Sequence, residues 1–565
     1  MLILNVIPKC VATVRYCPLK YAVCRMSGGS VNVKFRWGLS TSDPETQPVL
    51  IVGQAVHLNT FTWQDVRCKL EPRVSEEVWQ RGLSVVAAGE ACELWPRGAS
   101  LAALPSRRSR HAAPSRAHAL SKIVKAAQRT SATEEFIVLV CKKQDVLASA
   151  VGIARAVPQY SARSGTAPLG TSPTPPAHRD LTVEIVLVTD EKREGDSEDE
   201  DTGPVESVLM EKTLSDDELG TIQRVADATR LAARITDTPA NQMHVQDIIE
   251  EACKVAKELN IAEPTIIQGE ELRERGMGGI YGVGRAASKP PALVSLTYRA
   301  PGATQSVAWV GKGIVYDTGG LSIKARSSMV GMKGDCGGAA AVLGAFAAFV
   351  AERPTIDVHA VLCLAENAVG PDATRPDDIH QLYSGRTVEI NNTDAEGRLV
   401  LSDGVVYAQR DLKADTIVDV ATLTGAQGTA TGKYHAAVLS NCGRLERRCV
   451  TAGLRSGELA HAVPFAPELH FPEFSSAVAD MKNSVADRNN AQPSCAGLFI
   501  LAHLGFDFRG AWLHVDMAAP AHSGERATGY GVALLNVLFG AQSGSRLLRA
   551  LAPPALHQRA PLHTP

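Results

Sequence analysis

Residues 390–404, INNTDAEGRLVLSDG, set two carboxylates and a guanidinium, Asp394, Glu396 and Arg398, at alternate positions among small and apolar residues. A Thr-x-x-Glu capping box from Thr393 to Glu396 at the start of a helix would employ Glu396, but it leaves Asp394 and Arg398 without a task. Upstream, residues 307–342, VAWVGKGIVYDTGGLSIKARSSMVGMKGDCGGAAAV, carry Lys312, Asp317, Lys324 and Asp335. Taken singly, Asp317-Thr-Gly-Gly makes a turn, Asp335 caps a helix, and either lysine is a surface charge with its stem on apolar neighbours. Taken together, the acids pose an electrostatic problem. Two unit charges about 4 Å apart repel by about 4 kcal/mol at an effective dielectric of about 20, so these four acids share a site only if several are protonated or cations sit among them. Two divalent ions would balance Asp317, Asp335, Asp394 and Glu396 charge for charge. The chemistry of such a pair is the polarisation of a carbonyl and the activation of water near neutral pH.

The stretches VGKGIVYDTGG, SIK, MKGDCGGAAAV and NNTDAEGRLVLSDG, with TRLAARITDTPANQM, VATLTGAQ, LHVDMAAP and ATGYGVALL, resemble the motifs of the leucyl aminopeptidase family of two-metal peptidases. The resemblance covers most of residues 225–540 and is strongest to an animal branch of probable aminopeptidase-like members. It implies a metalloaminopeptidase that removes the N-terminal residue of peptides with an unblocked α-amine, by attack of a hydroxide held between two ions, Zn²⁺ or Mn²⁺. By resemblance, Asp317 and Glu396 bridge both ions, Lys312 (as a neutral amine) and Asp335 complete one site, and Asp394 completes the other. Lys324 stabilises the negative charge that grows on the substrate oxygen. Arg398, which has no proton to give near neutral pH, holds a bicarbonate that carries the proton to the leaving amine.

Met332, Thr422, Leu423 and Gly425 match positions that line the substrate; a core methionine and a strand-end turn are the alternative readings. His514 and Asp516 have the residue types of a metal pair, but the resemblance assigns no ligand there, and they read as structural. Cys336, directly after Asp335, departs from many relatives and bears on specificity and metal preference rather than on the ligand set. The family's hexamers imply a homo-oligomer. Two readings compete: a binding or regulatory protein on a peptidase fold, which the full ligand set disfavours, and a two-metal hydrolase of another amide or ester, which would not need the free amine.

Side chains so far apart in sequence meet only if strands deliver them to one edge. Val/Ile-rich runs at 49–58, 136–141 and 181–189 read as buried strands, and 75–83 and 145–157 have helical spacing, which gives an N-terminal α/β domain over 46–190. A Pro/Gly/Ser/Thr loop spans 163–178, and an acidic run forms a linker at 191–204. A catalytic domain over 205–545 opens on a helix at 216–235 and continues with strands at 292–298, 306–311, 356–364, 415–421 and 511–516. Helices at 337–353 and 397–412 separate them. The fold class is α/β, with a central, largely parallel sheet covered by helices on both faces. Loops at the carboxyl ends of such strands host the ligand site. The glycines of GMGGIYGVG (276–284) lack dinucleotide-binding spacing and read as turns. Residues 1–45 and 546–565 read as a disordered extension and tail.

The 565 residues are 45% hydrophobic and 21% charged with a formal net charge of -2, an ordinary globular composition without a global field for nucleic acid or anionic membrane. The basic stretch at 97–129 lacks the interleaved aromatics of a nucleic-acid reader and reads as solvated surface, so nucleic acid is not an expected partner. No uninterrupted apolar run reaches the roughly 18 residues of a membrane span. Twelve cysteines without a Cys-x-x-Cys pair read as reduced thiols of a cytoplasmic protein. The basic residues before Asp43, the first acid, resemble a transit peptide and make mitochondria the alternative.

Overall fold

The Val/Ile runs near the N-terminus become a six-stranded sheet in the computed structural model, which describes residues 30–128, 132–162, 178–189 and 207–554. Its strands are β1 (Ser30–Trp37), β2 (Val49–Gln54), β3 (Ala91–Trp95), β4 (Ala99–Leu104), β5 (Glu134–Cys141) and β6 (His178–Leu187). Their order is β1-β6-β5-β2-β4-β3, and all neighbours are parallel except β3 and β4. The strand expected over 49–58 stops at Gln54, and Ala55–Leu58 is a short helix. Residues 30–45, assigned above to a disordered extension, contain β1, paired along β6 from Ser30 opposite His178 to Trp37 opposite Ile185. Val31, Val33, Phe35 and Trp37 alternate along it and pack on the core, a period-two signal that the basic composition of the leader hid. In the expected C-terminal tail, Arg546–Leu551 is a helix with Leu547, Leu548 and Leu551 buried. The linker at 191–204 and nearly all of the loop at 163–178 lie outside the described residues.

The second sheet is built from the catalytic region, whose strands are β7 (Thr265–Gln268), β8 (Ala292–Tyr298), β9 (Ser306–Asp317), β10 (Asp357–Asn367), β11 (Ile379–Gln381), β12 (Thr387–Glu389), β13 (Thr416–Ala421), β14 (Ala436–Ser440), β15 (Ala460–Ala462), β16 (Met481–Lys482) and β17 (Ala511–Asp516). Eight of these form one sheet in the order β15-β14-β17-β13-β9-β10-β8-β7. At its centre β17, β13, β9 and β10 are parallel, and antiparallel pairs flank them. A small separate sheet joins β11, β12 and β16.

Helices cover both faces. Along β9, Val307, Trp309 and Val315 enter the core that contains the helix Gly337–Ala351, while Ala308, Val310 and Ile314 enter the core that contains the helix Gly397–Arg410. The run Met332–Ala351 is long and apolar enough to cross a bilayer by composition, yet it is the buried core helix of this sheet. The glycines at its start explain how it comes so close. A Cβ on Gly338 would stand 2.1 Å from Val420 O, and one on Gly311 would stand 2.5 Å from Ala339 Cα. The stretch GMGGIYGVG, expected as turns, contains a helix, Gly278–Gly284, and a Cβ on Gly279 would stand 2.3 Å from Leu399 O of the catalytic helix.

Replacing Gly338 by Ala should force the core helix away from β13. A loss of about 1–3 kcal/mol is expected, read as a lower denaturant midpoint at unchanged slope.

Candidate active site

β9 supplies two of the chemical residues, Lys312 within the strand and Asp317 at its end, beyond a register shift against β10 between Ile314 and Asp317. Lys312 shares the face of Ala308 and Val310, beneath the start of the helix Gly397–Arg410, where a Cβ on Gly397 would be 2.6 Å from its Cε. Asp317 ends the strand. The turn that follows is the expected one: Gly319 N donates to Asp317 Oδ1 (2.8 Å), and Gly319 and Gly320 occupy the left-handed region at φ 83° and 63°. The chain then returns, Lys324 N donating to Thr318 O at 2.9 Å, which brings the Lys324 side chain back over Asp317.

The capping box does not form. Thr393 Oγ1 donates to Gly319 O (2.6 Å) and accepts from Ser322 N (2.7 Å), so it fastens the 391–396 loop to the turn after β9. Glu396 holds the N-cap position of the helix Gly397–Arg410 without a side-chain cap bond, which leaves its carboxylate free to face the acids.

The predicted ligand residues converge. Asp317, Asp394 and Glu396 each present a carboxylate oxygen within 4.8 Å of the others. Lys312 Nζ lies 2.9 Å from both Asp335 Oδ1 and Glu396 Oε1, and donates to Thr422 O at 3.1 Å. Lys324 Nζ lies 2.7 Å from Asp317 Oδ2 and 2.5 Å from Asp394 Oδ1. Lys312, Asp317, Asp335 and Glu396 are buried, whereas Lys324 and Asp394 are half-exposed, so the cluster opens to solvent on the Lys324 side.

The electrostatics follow from burial and crowding. Burial would lower Lys312, but Asp335, Glu396 and Asp317 outweigh it and hold the ammonium well above its ordinary range. Lys324 is raised in the same way, against burial, chiefly by Asp317. Asp335 is pushed up to about 8 by burial and by the charges of Asp317 and Glu396, despite Lys312. Burial also raises Glu396, with Asp317 adding to it, and raises Asp394 against Lys324. Asp335 Oδ2 and Glu396 Oε2 are buried without a hydrogen-bond partner, a costly state for an acceptor. Two lysines answer four acids, and acceptor oxygens are left over; divalent ions fit this donor set of carboxylates and one amine.

The remaining candidates sit around this centre. Thr422 Oγ1 donates to Asp335 Oδ1 (2.8 Å) while its carbonyl receives Lys312. Leu423 N donates to Asp516 Oδ1 (3.1 Å), and Gly425 borders open space. Met332 is half-buried on the short 3₁₀ turn Met332–Cys336 that ends in the buried Asp335-Cys336 pair, and burial and Asp335 push the Cys336 thiol up to about 12. Arg398 is buried, gives an N–H to Asn483 O (2.9 Å), and keeps Nε without a partner. Burial draws it down to about 10 against Glu396, which still leaves it protonated at neutral pH. His514 and Asp516, expected to be structural, are engaged within the fold: His514 Nδ1 pairs with Asp419 Oδ1 (2.5 Å), and Asp516 accepts from Leu423 N, Thr424 N and Thr424 Oγ1.

One contributor had no motif to announce it. Asn367 ends β10 in register with Asp317, donates to Asp317 Oδ1 at 2.8 Å and to Thr393 O at 3.1 Å, and so orients one carboxylate while tying the two ligand loops together. The only hint in the sequence was a polar residue closing an apolar strand.

Comparisons with known proteins place relatives beside this chain. The model of the cytosol aminopeptidase family, catalytic domain, matches residues 230–536, and that of the M17 aminopeptidase N-terminal domain 2 matches residues 47–166. The second match lies where no family motif was legible. The chain is 54% identical to probable aminopeptidase NPEPL1 of Homo sapiens over 529 residues, 93% of this chain and 95% of that protein. It is 38% identical to leucine aminopeptidase 1 of Caenorhabditis elegans over 521 residues, 92% and 99% of the two chains. Among solved structures, the leucine aminopeptidase (LAP1) of Caenorhabditis elegans superposes with a TM-score of 0.82 at 36% identity, over 91% of this chain and 99% of that one. The apo leucyl aminopeptidase of Trypanosoma cruzi gives 0.75 at 39%, over 90% and 96%.

The raised Asp335 carboxyl has a measurable consequence. Its pKa rises from 3.8 to about 8, so without metal the folded protein binds a proton that the unfolded chain releases, and stability falls as pH climbs through that window. Metal ligation requires the carboxylate form. The gain in Tm between chelator-stripped and metal-loaded protein is therefore expected to be larger at about pH 8.5 than at about pH 6. A gain that shrinks over this range would contradict the assignment.

Proposed function

This chain belongs to the cytosol aminopeptidase family and is a metal-dependent aminopeptidase, and we propose that Lys312, Asp317, Asp335, Asp394 and Glu396 hold its ions while Lys324 and Arg398 act on the substrate. The observation that most favours this division is the buried cluster itself: four acids around two lysines, with Asp335 Oδ2 and Glu396 Oε2 left unpartnered. In this reading Asp317 and Glu396, central to the cluster, would contribute to both ions, Lys312 and Asp335 to one and Asp394 to the other. An oxygen-rich set with one amine suits two ions of Zn²⁺ or Mn²⁺. When bound, the pair supplies Lewis acidity toward the scissile carbonyl and water activated at neutral pH.

The chain's own residues do the rest. Asp317 and Asp394 hold the Lys324 ammonium at the half-exposed mouth, where a substrate carbonyl enters. An ammonium fixed there in advance stabilises the oxyanion of the transition state more than the neutral carbonyl, which raises the rate rather than only the affinity. Arg398, buried behind the 391–396 loop with a free Nε–H, grips an anion, and bicarbonate in that place would carry the proton to the leaving amine. Thr422, Leu423 and Gly425 present backbone along one wall, and Met332 contributes apolar surface.

The reading extends to a cytoplasmic homohexamer acting on peptides. Ile323 (63% exposed) and Val330 (80%), on the loop that carries Lys324, with Leu469 and Val478 (69% each), offer apolar surface that partner copies would cover. The cysteines among the described residues are free, in keeping with a reducing compartment.

Elemental analysis of a preparation assayed on aminoacyl amides should give close to two ions per chain and hydrolysis that requires the free amine. Glu396→Ala should lose the metal. Lys324→Ala should keep it and lose about 10²–10³-fold in kcat. Equal cleavage of N-acetylated substrates would favour a different amide hydrolase, and an intact rate in Lys324→Ala would remove its electrophilic role.

A further inference from the structure

Arg398 and the loop that carries Asp394 and Glu396 are held by the same residue. Asn483 stands one position beyond β16, where its N–H pairs with Glu389 O (3.0 Å) as the last rung against β12. Its side chain is fully buried under the 391–396 loop. Asn483 Oδ1 accepts from Asn391 N (3.0 Å) and Asn392 N (3.2 Å), and Asn483 Nδ2 donates to Asn392 O (2.7 Å) and Ala395 O (3.3 Å). Both lone-pair positions and both amide hydrogens are thus spent on the stretch that encloses Asp394 and leads into Glu396. Next to it, Asn391 Nδ2 donates to Ser484 O (3.1 Å) and Ser484 N to Asn391 Oδ1 (2.9 Å), which locks the register of the two segments. The backbone carbonyl of Asn483 takes the Arg398 guanidinium at 2.9 Å.

We infer that Asn483 is a positioning residue for both halves of the site: its amide sets where Asp394 and Glu396 point, and its carbonyl sets Arg398 relative to them. Few side chains replace this pattern. Asp lacks the donors, Gln is one methylene too long for a sealed space, and Ala takes away the acceptor of the Asn391 and Asn392 N–H groups and the donor to Ala395 O, leaving Asn392 O only the Ala395 N–H. The 391–396 segment belongs to no regular hydrogen-bonded element, so this amide supplies the bonds that a strand or helix would otherwise give it.

The inference rests on the metal reading of Asp394 and Glu396, and the test separates the two. Full-length protein is titrated with Mn²⁺ in competition with a chelator, as wild type, Asn483→Ala and Asn441→Ala. Asn441 is the matched control: Asn441 Oδ1 accepts from Trp512 N (2.7 Å) and Asn441 Nδ2 donates to Gly510 O (3.0 Å), at the end of the sheet away from the site. Loss of stability alone leaves the affinity of the folded molecules unchanged. Asn483→Ala should weaken Mn²⁺ binding by about 10–100-fold, Asn483→Ser by less, and Asn441→Ala should bind as wild type does. Wild-type affinity in Asn483→Ala, or equal weakening in Asn441→Ala, overturns the inference. If Asn483→Ala yields no soluble protein, Asn483→Ser carries the test; if neither is soluble while Asn441→Ala is, Asn483 serves folding and the inference fails. Wild-type protein that binds no Mn²⁺ removes the metal reading as well.

Discussion

Four carboxylates gathered in a partly dehydrated space repel one another, and the catalytic domain is arranged around tolerating that repulsion. Lys312 and Lys324 each stand between two of the acids, whose negative charge holds both ammonium groups above their ordinary range. The acids arrive from three separate segments: the end of β9, the 3₁₀ turn before the core helix, and the loop before the helix Gly397–Arg410. Each segment is anchored largely by neutral hydrogen bonds, through Asn367, Thr393, Thr422 and Asn483, and the further cations nearby, Lys333 and Arg398, bond to backbone carbonyls. That choice follows from the same constraint. Another cation would compete with an incoming metal, whereas amides and hydroxyls fix position without altering the balance.

Much of this was legible in the sequence, for physical reasons that differ by element. β8 and β17 fall on their expected spans because strands buried on both faces are short runs dominated by apolar residues, here ALVSLTY and AWLHVD. The acids and lysines were legible because turns, caps and surface charges account for each of them singly but not for the whole group at that spacing. β1 was not, since eight residues of period-two alternation within a basic leader weigh little against its composition. The Thr393–Glu396 pattern was misleading on its own: the hydroxyl that a capping box would turn inward bonds across to another loop. Asn367 and Asn483 were invisible, because an isolated asparagine acquires its meaning from partners that only the folded chain brings near.

None of the proposed ligands lies in the N-terminal domain, but its described residues are bound to the catalytic domain by buried charge. Lys143 lies 2.8 Å from Glu218 at the first turn of the helix Asp216–Asp237, and Arg155 reaches Glu458. The glutamate of the second pair also accepts Gly531 N and Leu534 N, so that contact continues into the C-terminal part of the catalytic domain. Breaking a buried pair from one side strands its partner, at a cost of several kcal/mol. The two domains are therefore coupled mechanically even though only one carries the chemistry.

The alternation of β9 has a consequence for how this chain can vary over time. From Val307 to Val310 successive side chains enter alternate cores, and Lys312 is aimed by its parity with Ala308 and Val310. Exchanging one apolar residue for another there leaves that parity intact, but inserting or deleting a single codon would send the lysine to the opposite helix and every neighbour with it. Apart from Gly311 and Gly313, where a Cβ would meet the core, the strand can drift in composition more easily than in length.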